Sequence, residues 1–373
     1  MRYVNALFII LWLSSCGGSG GGGNSENGNS TGQNNCNDTK KSEISSKHTK
    51  DEWLIDTNFL RDGGPGKDGI PSIDSPCYVS AQNATFISDS DMIIGTRIND
   101  ISRAYSHSIL NWHEIVNLKT GSDFHTLSYC PLTGTAALWT VPESFSNKTF
   151  GVSGLLYNSN LILYDRETDS NWPQMNAQSA NGSLIGNLAE ENVVIETTWE
   201  TWKQMYPETD ILSNDTGYSR NYSSYPYGSY LTDSNLLFQV AYSDNRLHPK
   251  TRVLGVNMNG VNEVYEIDSF EQGVEVINEG SESSPYVVIG SSEHNFAVAY
   301  SSILSDGAEL SFSAIDSSLP VIMLDNEGNQ WDIFGNAVSG PRSGQKLNLE
   351  SDFIAFWFAW VAFHPNPEIH NFN

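Results

Sequence analysis

Apolar and polar positions along this chain fall into two rhythms. Short apolar runs broken by Gly, Asn or Asp predict strands, and two stretches with large rings three residues apart predict helices. Ile94-Gly95-Thr96-Arg97-Ile98-Asn99-Asp100, followed by Ala104-Tyr105, reads as strand, tight turn, strand. Leu254-Gly255-Val256-Asn257-Met258-Asn259-Gly260, followed by Val264-Tyr265, repeats that pattern at an offset of about 160 residues. Asn-Asp and Asn-Gly tolerate the positive φ that a two-residue hairpin turn requires.

The similarity continues downstream. Leu127 to Trp139 aligns with Val288 to Tyr300, and the run ending at Asp165 aligns with the run ending at Asp325. Trp172 and Trp331 then precede Gly182 and Gly340, which predicts a packed indole and a turn in each copy. Each copy closes on a helical pattern, Thr198 to Pro207 and Phe356 to Pro365. Trp199, Trp202 and Met205 fall on one face of the first, Trp357, Trp360 and Phe363 on one face of the second, and a proline ends both. The second helix is apolar nearly all round and is expected to be sandwiched. The fold class expected is mainly β, α+β with a few short helices, as two tandem pseudo-symmetric β-rich repeats each closed by a Trp-rich helix. Repeat A covers about 92–212, a Tyr-rich connector 213–251, and repeat B about 252–369. A connector of that length inside a compact protein is often functional, although its rings can equally pack down over the repeats.

The N-terminal region has a different character. Arg2 precedes the apolar run Ala6 to Leu13, which has signal-peptide length and is too short to span a bilayer. It ends in Leu13-Ser14-Ser15-Cys16, the pattern a lipoprotein signal peptidase accepts. Residues 1–15 are therefore expected to be a signal peptide, with Cys16 lipidated and the protein anchored to a bacterial membrane, at the outer membrane or cell surface rather than the inner membrane. Residues 16–52 are rich in Gly, Ser and Asn and cannot bury enough apolar surface to offset ordering entropy, which makes them a flexible tether for the domain at 53–373.

Composition narrows the partners. Forty-four Asp and Glu against 19 Lys and Arg give a formal charge of −25, which repels phosphate backbones and argues against nucleic acid. Of the four cysteines, Cys16 carries lipid on this reading, leaving Cys36, Cys77 and Cys130. Cys36–Cys77 and Cys77–Cys130 are both open as disulfides.

Positions that differ between the copies are where chemistry has room. His113 faces Val274, Cys130 faces Ser291 and Arg166 faces Asn326 in the internal alignment. Cys130, His113 and Arg166 are thus the candidate catalytic set, a thiol with its base placed on adjacent strand ends. His113 and Cys130, with His248 folding back from the connector, are the candidate ligands of a copper or zinc ion. The alternative is a buried Cys130 and a hydrogen-bonded core His113. Ser153, in Phe150-Gly151-Val152-Ser153-Gly154, matches a hydrolase elbow only in part, because its glycines are misplaced. No zinc-protease, P-loop, dinucleotide or Cys-x-x-Cys motif is present.

Asp68-Gly69-Ile70-Pro71, Asn111 to Asn117, Tyr129-Cys130-Pro131-Leu132, Phe150 to Tyr157, Tyr164 to Thr168, Pro226-Tyr227-Gly228 and Leu247-His248-Pro249-Lys250 occur together here. In these blocks, from about Gly63 to His370, the chain resembles the bacterial family catalogued as domain of unknown function 3179. Some of its relatives carry a second cysteine where this chain has Thr133, so a two-cysteine pair is not implied. The resemblance supplies no activity. Two functions stay open: a membrane-anchored envelope lipoprotein with a thiol site for a small molecule or metal, or a non-catalytic envelope module that binds carbohydrate or protein.

Overall fold

Asn99 and Asp100 take φ values of 50° and 62° and close the hairpin between strands Met92–Ile98 and Ile101–Ser106, with Ile98 facing Ile101. The computed structural model describes residues 52–258, 260–281, 284–315, 318–349 and 352–372. The expected signal peptide, the expected lipidation site Cys16 and all but the last residue of the expected tether lie outside the described residues.

The chain is mainly β, arranged as six small sheets with three short α-helices among the described residues. In the first half Met92–Ile98 is flanked by Ile195–Thr198 and Ile101–Ser106, and Asp210–Leu212 adds parallel to the latter. In the second, Arg252–Met258 is flanked by Asp352–Phe356 and Val261–Glu266, and Glu368–Ile369 adds parallel. Both halves then carry an antiparallel three-strand meander, Ile115–Thr120, Asp123–Cys130 and Thr135–Thr140 in the first, Glu275–Ser281, Ser284–Ser291 and Phe296–Ser301 in the second.

The same side-chain devices support both halves. Asp165 accepts the indole N–H of Trp172 and Asp325 that of Trp331, each at 2.9 Å. Asn117 and Asn278 each bond both backbone groups of an aromatic residue, Phe150 and Phe312, across to the next sheet. A Cβ on Gly95 would stand 2.3 Å from the Trp202 ring, and one on Gly255 would stand 2.2 Å from that of Trp360. Only glycine leaves room for an indole flat on the strand.

The predicted helices form at Trp199–Met205 and Trp357–Phe363. Thr198 caps the first by accepting from Thr201 N. The second starts on Phe356, which has no side-chain cap, and its first N–H groups reach carbonyls instead: Phe356 N to Thr133 O, Trp357 N to Thr251 O, Phe358 N to Pro249 O. All its residues but Phe363 are buried, as expected for a sandwiched helix. The halves share one core, since Ile93, Trp199 and Trp202 pack in a cluster with Val287, Trp331 and Phe334.

Candidate functional site

Ser106 caps a helix, His107–His113, that the sequence reading did not anticipate. His113 is therefore the last residue of a helix, not a strand end, and Cys130 ends the strand Asp123–Cys130. The helix closes with Glu114 N–H on Leu110 O at 2.8 Å, which places Glu114 at φ 57° and ψ −30°. Glycine usually holds this left-handed stop. A glutamate there costs on the order of 1–3 kcal/mol and turns its carboxyl inward, where the residue is 4 % exposed.

His113 is buried and both ring nitrogens are engaged. The Pro71 carbonyl, 2.8 Å from Nδ1, can only accept, so Nδ1 carries the proton. Nε2 then accepts from the Tyr222 hydroxyl at 2.7 Å, and Tyr222 in turn meets Thr216 Oγ1 at 2.5 Å. Burial pulls the imidazole down to about 4 and keeps it neutral. No bond runs from His113 to Cys130.

Cys130 is 1 % exposed, with its thiol near the Ser159 carbonyl at 3.8 Å. Burial, together with Glu114, pushes the thiol up to about 11. Burial likewise raises Glu114 to about 8, and its Oε1 accepts from the Tyr227 hydroxyl at 3.4 Å. The thiol's titrating neighbour is thus Glu114, not the histidine beside it in sequence. Thr133, where a second sulfur would stand, hydrogen-bonds Thr135 Oγ1 and Asn160 Nδ2 at 2.9 Å each.

Arg166 is a clamp. Its guanidinium spans Asp68 Oδ1 at 3.0 Å, Ser72 Oγ at 2.9 Å, Asp74 Oδ2 at 3.1 Å and the Phe150 carbonyl at 3.2 Å. These bonds fasten residues 68–74 over strand Phe150–Tyr157. A Cβ on Gly151 would lie 2.5 Å from Asp68 Oδ1, so glycine is needed beneath the clamp. Ser153 is also committed, donating to Ile162 O at 2.6 Å and accepting from Leu155 N.

The connector covers this region with aromatic rings. Tyr225 donates to Pro131 O and Tyr230 to Leu132 O, each at 3.0 Å, while Trp112 donates to Ser224 O. His248 is exposed and its Nδ1 accepts from Lys250 N at 3.2 Å, far from the role of third ligand. Among the described residues no group of three or more His, Cys, Asp and Glu is placed to hold a metal, and the structure does not bring His113, Cys130 and His248 together as one ligand set. Cys77 is disulfide-bonded and Cys130 is a free thiol, which removes the Cys77–Cys130 pairing.

Open space lies elsewhere. A cleft of about 390 Å³ runs between the halves, walled by Leu138 and Ala137 of the first and Val298, Phe353 and Ile354 of the second. Gln174, Glu196, Asn257 and His364 bring polar groups to it. Asn257 Nδ2 donates to His364 Nδ1 at 2.6 Å, which leaves the proton of the neutral ring on Nε2 as a donor. Burial raises Glu196 to about 7 although Arg252 lies 3.3 Å away. Glu196 and the cleft escaped the sequence reading, because the cleft exists only where two distant segments meet.

These features define a mainly β protein of two similarly paired halves, a tyrosine strap over the first and a cleft between them. A family model described as Protein of unknown function (DUF3179) matches residues 67–367, and the chain belongs to that family. No curated protein and no solved structure matches it.

Proposed function

We propose that this chain is a lipid-anchored envelope protein that binds a small molecule in the cleft between its halves, without catalysis by Cys130, His113 or Arg166. The observation that carries this reading is the position of the space: the cleft combines apolar walls with a few polar groups, the make-up of a ligand pocket. Each candidate catalytic side chain, by contrast, is already committed to protein partners. The expected ligand has an apolar body and groups that accept from His364 and donate to Glu196.

N-phenyl-1-naphthylamine, a neutral dye that brightens in apolar surroundings, is expected to bind saturably. Ala137→Trp, which fills the cleft, should weaken binding at least tenfold. Unaltered dye binding by a folded Ala137→Trp variant would count against the cleft. Anchoring is tested separately, since Cys16→Ser should move the protein from the membrane fraction to the soluble one.

A second reading, chemistry in the first half, is favoured by the strained backbone at Glu114, whose buried carboxyl helps to raise the Cys130 thiol. It requires that a small electrophile label Cys130 faster when Glu114 is ionised, and a labelling rate identical in Glu114→Gln would remove it.

A further inference from the structure

The cleft between the halves is lopsided in charge. Glu191 and Glu196 line it, and among the described residues no Lys or Arg reaches its walls. His364 adds no positive charge, because burial pulls its ring down to about 4. Leu138, Val298 and Ile354 supply apolar surface.

Glu196 is the buried end of this arrangement. It lies in the strand Ile195–Thr198 opposite Ile94 and is 4 % exposed. Its Oε2 accepts from Arg252 Nη2 at 3.3 Å and stands 3.5 Å from His107 Nε2. Oε1 accepts no hydrogen bond among the described residues, yet it is not sealed from solvent. In a residue that lines the cleft, Oε1 is the oxygen left for a ligand.

The groups facing Glu196 leave it short of positive charge. His107, from the helix His107–His113, is neutral, since burial and then Arg252 pull it down to about 3. Tyr129, from the strand Asp123–Cys130, keeps its proton because burial raises it well above its ordinary range. Arg252 is then the charge that opposes the carboxylate, and it does not offset burial, since Glu196 still titrates near 7. A second cation on Oε1 would complete the compensation. A ligand carboxylate would meet Glu191 and Glu196 as like charges, and a neutral head would bring Oε1 no countercharge.

We propose, resting on the cleft as the ligand site, that its ligand is an amphiphilic primary amine, with the ammonium on Glu196 Oε1 and the hydrocarbon body against Leu138, Val298 and Ile354.

Calorimetric titration of the full chain with hexylammonium, 1-hexanol and hexanoate tests this, because the three probes share a hydrocarbon body and differ at the head. At pH 8 hexylammonium is expected to bind at least tenfold more tightly than 1-hexanol, and hexanoate more weakly than either. At pH 7 about half of Glu196 holds its proton. Hexylammonium should therefore release protons on binding, read as an apparent enthalpy that depends on the ionisation heat of the buffer, while 1-hexanol releases none. That readout needs no substitution. In a folded Glu196→Gln variant the preference for hexylammonium over 1-hexanol should shrink to within twofold. Equal affinity for hexylammonium and 1-hexanol, tighter binding of hexanoate, absence of proton release, or an undiminished preference in Glu196→Gln would each overturn the amine while N-phenyl-1-naphthylamine binding upholds the cleft. Failure of the unsubstituted chain to bind that dye would remove the cleft and the amine together.

Discussion

At the scale of single residues, burial and close approach decide most outcomes. Gly95 and Gly255 lie under indole rings with no room for a methyl group. Gly95→Ala and Gly255→Ala should each destabilise the fold by about 2–3 kcal/mol or more, read as a lower urea midpoint with an unchanged slope. Glu114 gives a pH signature. It is held as the neutral acid to about pH 8, whereas the unfolded chain would ionise near 4.5. Because the folded value is the higher one, this stabilisation is whole below about pH 4.5 and is lost as pH rises through 8. Glu114→Gln stays neutral throughout, so it should match the parent chain at pH 4.5 and exceed it by on the order of 3 kcal/mol at pH 8. Glu196 shifts in the same direction, and the variant removes only the Glu114 share. Urea unfolding at both pH values checks this, and parallel pH profiles would contradict it.

At the scale of elements, the strap and the clamp explain why the first half looked equipped for chemistry. His113, Cys130 and Arg166 have no counterparts in the second half because only the first half supports a strap and a fastened N-terminal segment. The Cys130 thiol should therefore react slowly with a thiol reagent in the native protein. Removing both clips, Tyr225→Ala with Tyr230→Ala, should raise its labelling rate at least tenfold without unfolding the sheets, as followed by mass spectrometry and circular dichroism. Much at this scale was legible in the sequence. Three-residue spacing of Trp199, Trp202 and Met205 located one helix, and Asn99-Asp100 located a hairpin turn. The helix His107–His113 was not legible, since its buried residues Ile109, Leu110 and His113 lack the series of large rings three residues apart that marks the other two helices. Glu114 was missed with it, because only the end of that helix sets the residue at a positive φ and buries its carboxyl. Both ring nitrogens of His113 are taken up by Pro71 and Tyr222, which the motif blocks alone do not show.

At the scale of the whole molecule, two similarly paired halves sharing one core leave a seam between them, and the seam carries the main cleft. The cleft could not be read from the sequence, since Leu138 and Val298 are brought together only by packing. The central claim is that the main cleft, not the thiol region, receives the small molecule. Methyl-labelled NMR spectra recorded on adding N-phenyl-1-naphthylamine test it most directly. The account predicts shifts in Leu138, Val298 and Ile354, which line the cleft, with Leu132 and Leu161 beside Cys130 unmoved. Shifts confined to Leu132 and Leu161, with the cleft methyls silent, would contradict it.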